Sequence, residues 1–416
     1  MNQNTASSSI ESRKHANPVV FMFLILPFGV ISGYVTVTLA FLFAKAGVSV
    51  AAIAGLSAAT ILPGVLKFLW APFVDTTLTL KKWYLLSGIV SAAGMFALGV
   101  LPIKESSILE LTIIIYAANI AASFLGIAVN GLIAHDIPEE IKGRASGYLN
   151  AGNLGGAGLG GGAGLWLAEH LNNNWMPSAI LAGAGLLCCF GLLFVNEHPS
   201  TIKETKALKT LQNLFKDIWN TLKARIGVLA MILCFLPLGT GAASNLWAAV
   251  AGNWNASANT VTFVTGIASG IITAVGCLVG GWICDRTKRQ IAYVVFGLMQ
   301  AICLVAMAYT PHTEIMYIVW TSLYAFTLGL CYAAFSAFVY EAIGKGAAAT
   351  KYTVLASLSN FPIYYMTFVD GWAQTKYGSN GMLDVEAICA VIGVILFLGL
   401  LKYVSMGKKS EIEAEL

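Results

Sequence analysis

Gly281-Trp282-Ile283-Cys284-Asp285-Arg286-Thr287-Lys288-Arg289 stands between two long apolar runs, at about 258–283 and 290–310. Each run is close to the roughly 20 residues a helix needs to cross a ~30 Å hydrocarbon core. The joint is therefore a short polar turn between two spans. Its glycine lets two helices approach closely. Its aspartate suits the N-terminus of a neighbouring helix, where the dipole favours an anion. Its cations suit acidic helix ends nearby.

The same design recurs about 210 residues earlier, where Leu66-Lys67-Phe68-Leu69-Trp70-Ala71-Pro72-Phe73-Val74-Asp75 closes another apolar run. Ala71 takes the glycine position and Thr76 that of the first arginine. Pro27-Phe28-Gly29 and Pro237-Leu238-Gly239 match at the same offset. Asn153 and Gly164 match Asn360 and Gly371, and Gly126 matches Gly329, at slightly smaller offsets. Matching residues keep the same membrane direction if six spans separate them, which gives a parallel rather than an inverted repeat.

Counting outward gives twelve spans. They are α1 (18–44), α2 (48–73), α3 (82–103), α4 (108–134), α5 (145–168), α6 (176–195), α7 (227–250), α8 (258–283), α9 (290–310), α10 (314–342), α11 (349–372) and α12 (383–404). The fold class is an all-α membrane protein of two parallel six-helix repeats. Residues 1–17 and 405–416 are tails, 18–195 and 227–404 the halves, and 196–226 a linker. In it Leu208, Leu211, Phe215, Ile218, Trp219 and Leu222 recur at helical spacing, as in an amphipathic helix lying on a membrane.

Composition agrees. Of 416 residues 57% are hydrophobic and 11% charged, too little charge for a soluble chain of this length. The polar N-terminus runs straight into a full span and has no cleavage site, so it is expected to remain. About twenty Lys and Arg gather on one side of the predicted membrane against three (Lys45, Lys104, Lys376) on the other, so both termini are expected in the cytoplasm. The eight cysteines mostly lie inside apolar runs and read as packing residues. No metal spacing occurs among the histidines, and no G-x-x-x-x-G-K-[ST] is present for an ATP-driven pump. An intramembrane enzyme would want paired catalytic groups at one depth, and none is evident. A sensor or scaffold would want a sizeable soluble output domain, and none is visible.

The G-x-x-x-D-R-x-x-R pattern of Gly281, Asp285, Arg286 and Arg289 resembles the signature of the major facilitator superfamily. Lys67 to Asp75 is similar to the K-F-L-W-A-P-x-x-D element of the branch that holds AmpG-type muropeptide permeases and acetyl-coenzyme A transporters. Gly126-Ile-Ala-Val-Asn130-Gly131 looks like that branch's D-I-A-V-D-G, with both carboxylates replaced. The resemblance implies a secondary transporter, a symporter or permease of the inner membrane, that moves a small solute by alternating access. Proton coupling is implied by the family alone. The expected partners are a solute, protons and lipid, with no nucleic acid, no cofactor and no metal; the chain is expected to act as a monomer.

Candidate residues follow. Asp75, Arg144, Gly281, Asp285, Arg286, Arg289 and Glu341 are expected to form a latch on the cytoplasmic side, with Asp285 capping α5 and Arg286 reaching Glu341. The glycine ladder Gly156, Gly160, Gly164, with Gly158 and Gly162, reads as the crossing where the halves rock. Tyr34, Asn130, Asn153, Asn245, Trp247, Tyr332 and Asn360 either line a solute cavity or bond and pack with neighbouring helices. Charges inside spans are costly and point to function. Lys67 lies about 12 Å deeper than Asp75 along α2 and either snorkels or holds a charge. Asp370, toward the outer end of α11, is either interfacial or the coupling acid.

Overall fold

The computed structural model describes residues 15–48, 56, 59, 60, 62–173, 175–197, 216, 219, 220, 223, 225–344 and 348–415. The proposed linker helix lies outside them except for Lys216, Trp219, Asn220 and Lys223. Among the described residues eight helical stretches are long and apolar enough to cross a membrane. One of them, Ala348–Lys402, holds two spans, because the backbone breaks at Gly378 (φ 73°, ψ −173°). The remaining three spans fall short for visible reasons. Part of α2 lies outside the described residues, α7 is broken, and ten of the 29 residues of α5 (Lys142–His170) are glycine, which lowers its hydropathy.

Long unbroken helices form where no proline or left-handed glycine intervenes: α3 (Leu80–Val100), α4 (Ile108–Asp136), α9 (Arg289–Tyr309) and α10 (Glu314–Ile343). Large apolar side chains such as Leu109, Ile113, Leu193, Ile302 and Ile395 lie exposed on the outside, as a lipid-facing surface requires.

The continuous α7 expected at 227–250 is a correction. It is helical over Arg225–Leu233, unwinds, and resumes as a 3-10 turn at Ala242–Leu246. Pro237 has no N–H to offer the ladder, and Gly239 (φ +65°) and Gly241 (φ +73°) take backbone conformations that only glycine adopts without strain. Carbonyls freed in a membrane must find donors. Tyr365 Oη donates to the Phe235 carbonyl at 2.9 Å and Tyr293 Oη to that of Leu238 at 2.6 Å. Its repeat mate α1 keeps Pro27 inside the helix Val19–Gly33 and continues through a π-helical stretch, Tyr34–Leu39. Tyr84 of α3 donates to the Leu24 carbonyl at 2.9 Å. Tyr84 and Tyr293, both from the third span of their half, thus each donate to a backbone carbonyl of the first span of that half.

The two glycine faces of α5 have different partners. Gly152, Gly156 and Gly160 press on the α1 backbone; a Cβ on Gly160 would come 2.1 Å from the Val30 carbonyl oxygen. This is packing within one half, so Gly156, Gly160 and Gly164 do not form the contact between the halves expected of them. That contact uses the other face, where Gly143 and Gly147 meet Gly281 and Cys277 of α8, and Gly158 meets Gly270.

Candidate functional site

The joint Asp285–Arg289 lies between α8, which ends in the helix Ser269–Cys284, and α9. Asp285 Oδ1 accepts the backbone N–H of Arg144 at 3.1 Å, and its Oδ2 meets Arg144 Nε at 2.5 Å. Arg144 is the third residue of α5, so the carboxylate sits at that helix's positive end. Arg289 Nη1 reaches Glu139 at 3.0 Å across the seam and Glu341 at 3.4 Å within its own half. Its Nη2 also donates to the Glu139 carbonyl. Lys142 adds a 2.6 Å pair to Glu139. Burial alone would raise the Glu139 carboxyl, but Lys142 and Arg289 outweigh it and hold it below its usual range.

The expected Arg286–Glu341 pair does not form. Arg286 is exposed, with its guanidinium 3.9 Å from the Trp282 ring centroid and 3.1 Å from the Trp282 carbonyl. It follows Cys284 by two residues, so its stem still runs back along the α8 surface. Arg289 opens α9 and points into the seam instead.

The first-half copy repeats the geometry. Asp75 Oδ2 accepts the N–H of Thr350 at 2.8 Å and its hydroxyl at 2.6 Å. Thr350 is the third residue of the helix Ala348–Leu358, the first part of α11. Each half thus presents one carboxylate to the first turn of a helix in the other half.

A second polar layer lies one or two turns deeper. Tyr340 Oη donates to Asn130 Oδ1 at 2.9 Å, and the Tyr340 ring stacks on Tyr352 at 4.5 Å. Tyr352 Oη reaches Ser336 at 3.0 Å, and Asn150 of α5 donates to the same hydroxyl at 2.9 Å. Asn130 therefore belongs to the closed seam rather than to an open cavity. The bonds of Asp75, Asn130, Glu139, Arg144 and Asn150 that cross between the halves all belong to these two layers. The seam is closed on the face with most of the Lys and Arg.

The other expected cavity residues separate. Tyr34 is 1% exposed and packs with Val30, Leu39 and Leu181 inside its own half. Trp247 is buried edge-on against Tyr324, centroids 5.2 Å apart. Asn245 is exposed and bonds Thr367 at 3.0 Å. Asn153, Tyr332 and Asn360 are half-buried. Tyr332, with Thr240, Gly239, Ser359 and Pro362, lines a small cleft beside the break in α7.

Asp370 is enclosed by protein. It is fully buried and adjoins Glu386 of α12, itself 4% exposed. Glu386 accepts the Tyr324 hydroxyl at 2.7 Å and the Ala243 N–H of α7. Neither oxygen of Asp370, nor the second oxygen of Glu386, meets a donor, and no ion pair reaches either among the described residues. Sequence reading missed Glu386 because it started α12 at 383. Gly378 marks the true start, and from there Glu386 lies two turns inside.

The family model described as Major Facilitator Superfamily matches residues 19–367. The chain belongs to the major facilitator superfamily. Among curated major facilitator relatives, it is 25% identical to the transporter AmpG 4 of Rickettsia conorii, over 91% of this chain and 95% of that one. It is 24% identical to the anhydromuropeptide permease of Escherichia coli K12, over 80% of this chain and 70% of that one. Solved major facilitator structures share the fold. The Escherichia coli fucose:proton symporter gives a TM-score of 0.69 at 13% identity, over 92% of this chain and 98% of that one. The proton:xylose symporter XylE gives 0.67 at 14%, over 92% and 95%. The protein is a multi-pass secondary transporter.

Proposed function

We propose that this carrier is a proton-coupled permease of the inner membrane for an anhydromuropeptide or a related cell-envelope product, with both termini cytoplasmic. The halves 18–195 and 227–404 rock about the α5–α8 seam, and 196–226 joins them. The closed basic face then corresponds to the outward-facing state, held by Asp75, Arg144, Gly281, Asp285, Arg289 and Glu341. The solute class rests on the names of the relatives. The coupling rests on one observation, the adjoining Asp370 and Glu386 carboxyls with three oxygens lacking donors. Two such groups in a low-dielectric interior cannot both carry charge, and one proton held between them satisfies the pair. Proton gain and loss there changes what Glu386 offers to Ala243 of α7 and to Tyr324.

The test is uptake of a radiolabelled anhydromuropeptide into proteoliposomes with and without an imposed pH gradient. The wild type should concentrate the label only with the gradient. Asp370→Asn and Glu386→Gln should each lose that accumulation, by about tenfold or more, while still exchanging label at equilibrium. Gradient-driven accumulation by either variant would place the proton elsewhere. A wild type indifferent to the gradient would make the carrier a uniporter or tie it to another ion.

A further inference from the structure

Lys67 is a charge inside a span with no hydrogen bond or ion pair among the described residues. The helical run of α2 tightens there into a 3-10 turn, Lys67–Leu69. Phe68, Leu69 and Phe73 of the same stretch are exposed toward lipid, whereas Ala71 and Val74 are buried in the core. Lys67 is half-buried and lies on the Ala71 and Val74 face, turned into the protein. Snorkelling toward Asp75 does not relieve it, since that carboxylate already takes two bonds from Thr350 and has Lys351 as its cationic neighbour.

The surface opposite comes from the other half. The turn Lys67–Leu69 packs directly on Ala348–Leu358 of α11. The two helices run antiparallel and are pinned together at Asp75 and Thr350. Lys67 is eight residues inward from the one, and Ser357 seven residues inward from the other. At 1.5 Å per residue both lie about 10–12 Å above the latch. Ser357 is 8% exposed, and its hydroxyl has no partner. A cation and an unsatisfied hydroxyl thus lie at one depth on two packed elements of opposite halves, above the closed layer. Asp75, Arg144, Asp285, Arg289 and Glu341 each have an opposite charge or a helix end to meet. An unpaired ammonium in a membrane is costly, and a fold that keeps one leaves the counter-charge to be brought from outside.

We propose that Lys67 and Ser357 form the docking point for a carboxylate of the solute. The inference rests on the transport reading above and adds a chemical requirement to it: the cargo is an anion. A muropeptide, a peptide-bearing amino sugar with free carboxylates, meets that requirement. Binding places the anion against both halves at once, α2 from one and α11 from the other. The carboxylate is therefore held between the two bodies that must move, and its arrival replaces the missing counter-ion.

Thermal unfolding of the purified full chain tests this, because a ligand that binds the folded state raises its midpoint. The probes are an anhydromuropeptide with free carboxylates and the same compound with them amidated. The free acid should raise the midpoint of the wild type and of Lys67→Arg by a few degrees, and the amide should not. Lys67→Gln should lose that preference. Without ligand, Lys67→Gln should unfold no lower than the wild type, since it removes an unpaired charge. A fall would show that Lys67 is structural and overturn the proposal, as would a free-acid preference that survives in Lys67→Gln. If neither compound shifts the wild type, the muropeptide reading fails and citrate becomes the probe. A citrate-dependent rise in the wild type that Lys67→Gln lacks retains the anion site; equal or absent shifts in both reject it.

Discussion

The latch after α2 and the latch after α8 are two copies of one device built from different materials. Asp285 meets a helix end and an arginine that is half exposed; its own side chain is 5% exposed. Asp75 meets a helix end and a hydroxyl, and its cationic neighbour Lys351 is buried. At the helix crossing, Gly281 has backbone on its open side, whereas Ala71 carries a methyl group that is wholly buried. The same topology therefore tolerates either a close backbone contact or a packed side chain, and either an exposed or a buried cation beside the cap. The second copy is the tighter and the more electrostatic.

The largest effect should come from giving the second copy the residue of the first. In Gly281→Ala the new Cβ would lie 2.5 Å from the Gly143 carbonyl oxygen and 2.8 Å from Gly147 Cα. Backbone cannot step aside as a side chain can, so α5 and α8 must separate. A cost of about 2 kcal/mol, or about thirtyfold, should fall on the state closed at the basic face. Spin labels placed one on each half would read the shift as a longer distance. An unchanged distance distribution would show that the seam is looser than its geometry.

Removing the carboxylates comes next. Asp285→Ala and Asp75→Ala each delete a cap, worth about 1 kcal/mol or roughly fivefold in the same equilibrium. The two should differ in salt. The Asp285 effect should shrink between low and high ionic strength, because its arginine is open to screening. The Asp75 effect should stay constant. Equal salt responses would erase the distinction between the copies.

The smallest effect is an acid limb confined to the second copy. Glu139 sits below its usual range in the folded protein, so its contribution is present above that range and is lost as pH falls through the depressed value. Unfolding midpoints of the wild type should therefore decline in acid more steeply than those of Glu139→Gln. Parallel curves would mean that Arg289 and Lys142 do not depend on that charge.

Much of this was legible in the chain because it is local. The Gly281–Arg289 joint, the offset repeat and the apolar runs each need only a short window. The partner of Arg289 was not, because it depends on where α9 begins to turn. The stripe of Gly156, Gly160 and Gly164 announces a close neighbour without saying which one, and the neighbour is α1. Tyr340 and Asn130 lie far apart in sequence and meet only when the halves close. Glu386 was hidden by a boundary error of a few residues, which moved it from two turns inside α12 to its rim. Pro237 was visible, but whether a proline bends or breaks a span depends on the donors around it. Tyr293 and Tyr365 supply those donors.

The contact of α5 with α8 has a further consequence. Backbone lies against backbone there, through Gly143, Gly147, Gly158, Gly270 and Gly281. Around these glycines only small clusters of side chains, such as Ala151 with Cys277, fill the contact. The polar bonds that cross between the halves are thereby gathered at the basic face, and above them α5 and α8 meet largely through backbone.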